Sequence, residues 1–253
     1  MTIKPKEFYL PFIKREKIAK DTYSFYFDPA KGGLDFLPGQ YIRMTLEIEN
    51  PDSRGNSRFF TIASSPLIKD YIMITTKIIH PAPDGAGQSS SFKKKLLELK
   101  TGDNIKFFGP MGGFILDERE KVDKVFLAGG IGITPFHSMI TYASKKNLKI
   151  PITLFVSFSR VKDLIFFDEL SNIDKENSFI KIIYTITHPD SPLQWKGEIG
   201  RISDTLIKRY VKNIFKSFYY IVGPPRMVVA IEEVVKNMGV ENKRVFIENF
   251  TGY

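Results

Sequence analysis

The chain is 253 residues long, enough for one large domain or two of ordinary size, and 43% of it is hydrophobic. It contains no cysteine, which excludes disulfides, thiolate zinc sites and cysteine-ligated iron–sulfur clusters within it. No run of eighteen apolar residues marks a membrane span, and Met1–Phe8 lacks the apolar core of a signal peptide, so a cytoplasmic setting is expected.

The net charge of +9 is spread along the chain, with 17 basic and 14 acidic residues up to Glu118 and 20 and 14 after it. Such a balance suits a solvated basic surface, or a field that steers an acidic macromolecular partner. No stretch interleaves basic and aromatic residues in a stacking pattern, so nucleic acid is not expected. His80, His137 and His188 have no spacing suited to a metal.

The first half reads as β structure. Short runs rich in β-formers cover Phe8–Ile13, Tyr23–Phe27, Tyr41–Ile48, Phe59–Ala63, Tyr71–Ile79 and Asn104–Phe108, separated by turn clusters such as Leu37-Pro38-Gly39 and Asp52–Asn56. Six strands at this spacing predict a small antiparallel barrel or sandwich, interrupted by one helix over Ser91–Leu99. Two stretches carry chemistry. On a strand through Arg58-Phe59-Phe60-Thr61, Arg58 and Phe60 share one face and Thr61 points to the other; an arginine beside an aromatic suits a phosphate and a planar ring, or is an ordinary surface arginine. Gly85–Ser91 places glycines and hydroxyls before a helix, which suits a diphosphate or a plain N-cap.

From Lys121 the period changes. Strands over Val125–Ala128, Ile152–Phe158, Phe179–Thr187, Phe218–Val222 and Arg244–Glu248 alternate with helices over Pro135–Lys146, Lys162–Leu170, Ile202–Tyr210 and Arg226–Met238. Repeated βα units predict a parallel five-stranded sheet covered on both faces, with ligands beyond the carboxyl ends of its strands. Gly129–Pro135, Ser159-Arg160 and Gly223–Met227 all fall at those ends. The expected boundary gives domains over 1–118 and 119–253. Asp168 and Glu169 read as a solvated helix face.

Together these motifs resemble the ferredoxin–NADP reductase family. Arg58-Phe59-Phe60-Thr61 is similar to its R-x-Y-[ST] flavin motif, Gly87–Ser90 to its diphosphate loop, Gly109–Phe114 to G-P-x-G-x-F, Gly129–Pro135 to G-G-x-G-[IL]-[TA]-P, Val222–Met227 to C-G-P-x-x-M, and Glu248-Asn249-Phe250 to its E-x-F ending. The resemblance runs from about Phe8 to the end. It implies a flavin-binding antiparallel barrel followed by a nicotinamide-binding α/β domain, with FAD and NADPH or NADH as cofactors.

The resemblance also implies roles. Arg58, Gln88, Ser89 and Ser90 hold the FAD diphosphate; Phe60 packs on the flavin; Thr61 lies near its N5; Thr76 is a further flavin contact. Gly130, Gly132, Thr134, Pro135, Gly223 and Met227 seat the nicotinamide nucleotide. Glu248 stands near the flavin edge, and Phe250 or Tyr253 stacks on the exposed ring. Arg160 and Arg201 sit where a 2′-phosphate is paired, and no acidic residue ends the strand Ile152–Phe158, which leans to NADPH. Two positions depart from the pattern: Phe60 lacks the tyrosine hydroxyl, and Val222 replaces the cysteine beside the hydride path. The implied activity is a flavoprotein reductase serving an acidic ferredoxin or flavodoxin. Reduction of free flavin, ferric chelates or quinones, and a non-catalytic role binding flavin within a larger complex, are the competing readings.

Overall fold

The computed structural model describes residues 3–29, 33–78, 90–189 and 195–249. The chain divides into two compact units, Met1–Ile115 and Leu116–Tyr253. Gln88, Ser89, Phe250 and Tyr253 lie outside the described residues.

The first unit holds β1 (Lys6–Ala19), β2 (Thr22–Phe27), β3 (Tyr41–Thr45), β4 (Ser57–Thr61), β5 (Ile72–Lys77), α1 (Ser91–Glu98) and β6 (Asn104–Met111). They form one six-stranded antiparallel sheet in the order β4-β3-β6-β1-β2-β5. β1 is longer than its apolar run because it serves two partners. Lys6–Pro11 pairs with β6, and from Phe12 onward it pairs with β2. Pro11, with no N–H to donate, sits at the change of partner. The two ends of the strand order, β4 and β5, follow one another in sequence, and the Ala63 N–H, just past β4, donates to the Met73 carbonyl of β5 at 2.8 Å. The sheet therefore curls back on itself, around Phe12, Phe25, Phe27, Ile42, Met44 and Phe107. α1 closes this core with Phe92 and Leu96, both fully buried.

The second unit runs β7 (Lys124–Gly129), α2 (Thr134–Lys145), β8 (Ile152–Phe158), α3 (Phe167–Glu176), β9 (Ile180–Ile186), β10 (Glu198–Ile199), α4 (Asp204–Tyr210), β11 (Phe218–Gly223), α5 (Pro225–Asn237) and β12 (Val245–Asn249). The parallel sheet has six strands, not the expected five, in the order β10-β9-β8-β7-β11-β12. The extra one is the two-residue β10, which pairs Glu198 with Thr185 and Ile199 with Ile186; two pairs leave no periodicity to read. β7 is buried along its whole length, as a central parallel strand is. Val125 and Leu127 face α4 and α5 through Ile207, Ile231 and Val235. Phe126, on the other face, stacks on Phe136 of α2 with ring centroids 4.6 Å apart.

α3 starts later than its sequence suggests. A 3-10 turn occupies Val161–Asp163, and Phe166 takes a left-handed φ of 58° before the helix begins.

Candidate functional site

In the second unit the chain leaves β7 toward β8 and β9, then returns to the other side of β7 as β11. The strand order reverses between β7 and β11, which is where an open α/β sheet binds its ligand, beyond the carboxyl ends. The loops after these two strands are the glycine-rich segments. Gly130–Ile133 forms a 3-10 turn leading straight into α2, and Pro224-Pro225 leads into α5. Both helices begin with a proline in the first turn and neither has a side-chain cap. The Thr134 N–H at the start of α2 donates to the Ile131 carbonyl, and at α5 the Met227 and Val228 N–H groups both turn back to the Pro224 carbonyl, so what the two ends offer a ligand is chiefly the positive end of each helix dipole.

The glycines do different jobs. A Cβ on Gly132 would lie 2.6 Å from the Val222 carbonyl oxygen and 3.0 Å from Gly223 Cα, so its absence lets the two loops touch backbone to backbone. A Cβ on Gly129 would strike the Met227 sulfur and come within 3.0 Å of Pro224 Cδ. Met227 accordingly spends its side chain packing against Gly129. Gly130 is the exception: its φ is +51° and a Cβ there would meet nothing within 4 Å. It faces open space at the loop crest. Thr134, only 2% exposed, donates its hydroxyl to the Ile131 carbonyl at 3.0 Å and so ties the turn to the helix.

Glu248 lies beside this edge, paired in register with Val222. Its Oε2 is buried and has no hydrogen-bond partner among the described residues, and burial pushes the carboxyl up to about 7. A carboxyl in that state is poised to hold or release a proton near neutrality. Arg160 follows β8, next to β7, whereas Arg201 follows β10, three strands away from β7. Both are exposed along the same edge of the sheet.

The first unit carries a site of another kind, around the N-terminus of α1. Ser90 caps the helix, accepting from the Lys93 N–H at 3.1 Å. Arg58 and Phe60 share one face of β4, as expected, and both meet Phe92 of α1: the guanidinium lies 5.1 Å from that ring and the Phe60 ring 5.9 Å. Arg58 Nη1 donates to the carbonyls of Arg54, Gly55 and Ser57 at 2.7–3.1 Å. Its Nη2 is buried with no hydrogen-bond partner among the described residues; the Asp52 carboxylate approaches it only to 3.6 Å. Lys93 Nζ donates to the Lys77 carbonyl, and burial, then Arg54 and Arg58, holds its pKa below the usual lysine range.

Three cations thus crowd the positive end of one helix, Asp52 pairing with Arg54 and standing 3.6 Å from Arg58, and one guanidinium nitrogen lacks a hydrogen-bond acceptor among the described residues. A diphosphate supplies that acceptor and negative charge opposite the cations, so the residues fit the phosphates of a dinucleotide. Thr61, 6% exposed, is paired with Tyr41 on the opposite face of β4 from Arg58 and Phe60. Thr76, 7% exposed, lies on β5, the strand onto which β4 closes.

Three residues escape notice in the sequence. Asp52 sits in what reads as a plain turn. His137 and Glu169, read as bland, pair at 2.8 Å and join α2 to α3, while Glu169 lies on an exposed helix face as expected. The pairing holds the Glu169 carboxyl below the usual range.

Comparison with known proteins agrees with this geometry. Residues 9–115 match the model of the oxidoreductase FAD-binding domain and residues 126–233 that of the oxidoreductase NAD-binding domain. Among curated proteins, the chain is 29% identical over 203 residues to the F subunit of the Na(+)-translocating NADH-quinone reductase of Haemophilus ducreyi, covering 77% of this chain and 49% of that protein. It is 27% identical over 203 residues to the corresponding protein of Marinomonas, again covering 77% and 49%. The chain spans about half the length of these relatives. Among solved structures it resembles the cytochrome b5 reductase domain of Ulva prolifera nitrate reductase, with a TM-score of 0.81 and 22% identity over 96% of this chain and 97% of that one. It also resembles a ferredoxin NADP+ reductase from Neisseria gonorrhoeae with bound FAD and NADP, with a TM-score of 0.75 and 20% identity over 96% and 98%. The two domain models, in this order on a curled antiparallel sheet and a parallel α/β sheet, show that the chain belongs to the ferredoxin–NADP reductase-like family of FAD- and NAD(P)-binding oxidoreductases.

Proposed function

We propose that the chain takes hydride from NADPH or NADH onto FAD and hands the electrons singly to an acidic carrier protein, a ferredoxin or flavodoxin, in a cytoplasmic setting. The observation that carries this reading is the pair of differently built anion stations: a cation-crowded helix end with a buried, unpartnered Arg58 Nη2, and two uncapped helix ends at the switch of the parallel sheet. FAD, when bound, supplies the chemistry, accepting two electrons with a hydride and releasing them one at a time.

The chain's own residues position and tune. In this reading Arg58 and Ser90, with Gln88 and Ser89, hold the diphosphate, and Phe60 and Thr76 line the flavin. Thr61 is the hydroxyl near the reacting nitrogen. Glu248 holds a proton at the flavin edge, and Phe250 or Tyr253 covers the ring until nicotinamide displaces it. Gly130 and the first turns of α2 and α5, with Gly132, Thr134, Pro135, Gly223 and Met227 shaping them, receive the nicotinamide nucleotide. Arg160 and Arg201 pair a 2′-phosphate, which favours NADPH. Arg160→Ala should raise the KM for NADPH far more than that for NADH; an equal effect removes Arg160 from the site.

The +9 charge supports an acidic partner through long-range steering. Reduction of a ferredoxin or flavodoxin should then be fast at low ionic strength and fall steeply as salt rises past about 0.1 M, where the Debye length is about 10 Å. The relatives, F subunits of an NADH-quinone reductase, favour a second acceptor class, a quinone. A slow, salt-insensitive rate with carrier proteins beside rapid turnover on a soluble quinone would move the assignment there.

A further inference from the structure

The hairpin between β3 and β4 reaches over the N-terminus of α1, and one side chain holds it there. The Asp52 N–H donates to Ser91 Oγ at 3.0 Å, and the Ser91 N–H donates back to Asp52 Oδ2 at 2.9 Å. This two-way clasp links residues 39 positions apart. The same carboxylate takes the Arg54 main-chain N–H at 3.0 Å and its guanidinium at 2.9 and 3.3 Å. Both oxygens are thus surrounded by donors, which, led by the Arg54 side chain, hold the carboxyl far below the usual aspartate range.

The turn that begins at Asp52 is closed by the Gly55 N–H donating to the Asp52 carbonyl at 2.8 Å, with Gly55 at a φ of +70°. That turn aims the Arg54 and Gly55 carbonyls at Arg58 Nη1. With Nη1 saturated, the planar fork has no freedom to rotate, and Nη2 is left without an acceptor beside the helix end.

From this chain of contacts the geometry points to Asp52 as a positioning residue of the FAD diphosphate cradle: it clasps the β3–β4 turn to α1 and thereby orients Arg58 toward the phosphates. The inference rests on the reading of the α1 N-terminus as the diphosphate site. Asp52 acts through geometry rather than charge, because its negative charge is already matched by the Arg54 fork. An amide cannot replace it, since donors face both oxygens and either orientation of an asparagine sets its NH2 against two of them.

The test is the dissociation rate of FAD from the purified flavin-loaded protein, followed by flavin fluorescence on dilution. Asp52→Asn should release FAD roughly tenfold faster or more, and Ser91→Ala, which removes one clasp bond and no main-chain donor, about threefold faster. The absorption bands and midpoint potential of the remaining bound flavin should match wild type in both variants, because the ring is held elsewhere. Wild-type or slower release in both variants overturns the inference, as does faster release accompanied by shifted bands and potential, which marks general damage to the barrel. If Asp52→Asn does not fold, Ser91→Ala decides alone. Arg58→Ala separates the two levels: if it releases FAD while the clasp variants do not, the diphosphate site stands and Asp52 has no part in it. If Arg58→Ala also keeps FAD, both fall.

Discussion

The two anion stations differ in how they are made. At α1 the groups proposed to face the ligand are side chains: Arg58, Arg54, Lys93 and the Ser90 cap. At α2 and α5 they are the helix ends themselves, brought together by glycines that let the loops close and left without a side-chain cap. Charge-assisted hydrogen bonds to a guanidinium contribute about 1.5–3 kcal/mol each, whereas a helix end contributes about 0.3–1 kcal/mol. The contrast separates a retained group from an exchanging one. Stronger side-chain contacts suit a cofactor that stays through many turnovers, and weaker main-chain contacts suit a nucleotide that must leave after each hydride.

The largest effect should come from breaking the main-chain station. Gly132→Val drives a side chain into the Val222 and Gly223 backbone, which cannot yield as a flexible side chain would. A loss of about 4 kcal/mol or more is expected, read as a collapse of the thermal midpoint. Near wild-type stability would mean that the loops are not packed as described. Next, Arg58→Ala should weaken FAD binding by about 1.5–3 kcal/mol, roughly 10- to 150-fold, measured by flavin fluorescence. Arg58→Lys should recover only part of it, because an ammonium cannot saturate three carbonyls and still present a second donor in the same plane.

Gly130→Val sharpens the comparison further. The positive φ costs about 1–2 kcal/mol of stability, yet no described residue lies within 4 Å of where the Cβ would sit. Nicotinamide binding should be lost while FAD stays bound; loss of both together would show that the crest of the loop has been misassigned. The smallest effect concerns Glu248. Its carboxyl is pushed from 4.5 up to about 7, so the folded state holds that proton more tightly than the unfolded chain does. Its contribution to stability should therefore be fully present below about pH 4.5, decline as the pH rises toward 7, and be absent above it, opposite in sign to that of the depressed carboxylates such as Glu169. Glu248→Gln should remove that decline, on the order of 1 kcal/mol after allowing for solvent at its exposed edge. An unchanged pH profile would mean that the carboxyl is not desolvated.

How much of this is legible in the sequence follows from which interactions are local. Gly129–Pro135 and Gly223–Met227 announce themselves because a strand, a glycine turn and a proline-started helix are contiguous in sequence. Even so, the sequence cannot tell Gly132, which is needed for packing, from Gly130, which faces open space; that depends on where the distant Val222 lies. Asp52 looks like any turn residue until Ser91 is beside it. β10 leaves no mark because two residues carry no period. The sequence places α3 too early because no glycine or asparagine signals the left-handed backbone at Phe166.

The central claim is that one chain holds FAD at the α1 station and passes it a hydride from nicotinamide. Anaerobic titration of the purified, flavin-loaded protein with NADPH and then NADH, followed at the flavin absorption bands, tests this directly. Complete bleaching at one equivalent of at least one nicotinamide is the expected result. A protein that stays yellow with both would contradict the account and leave a flavin-binding chain without reductase chemistry.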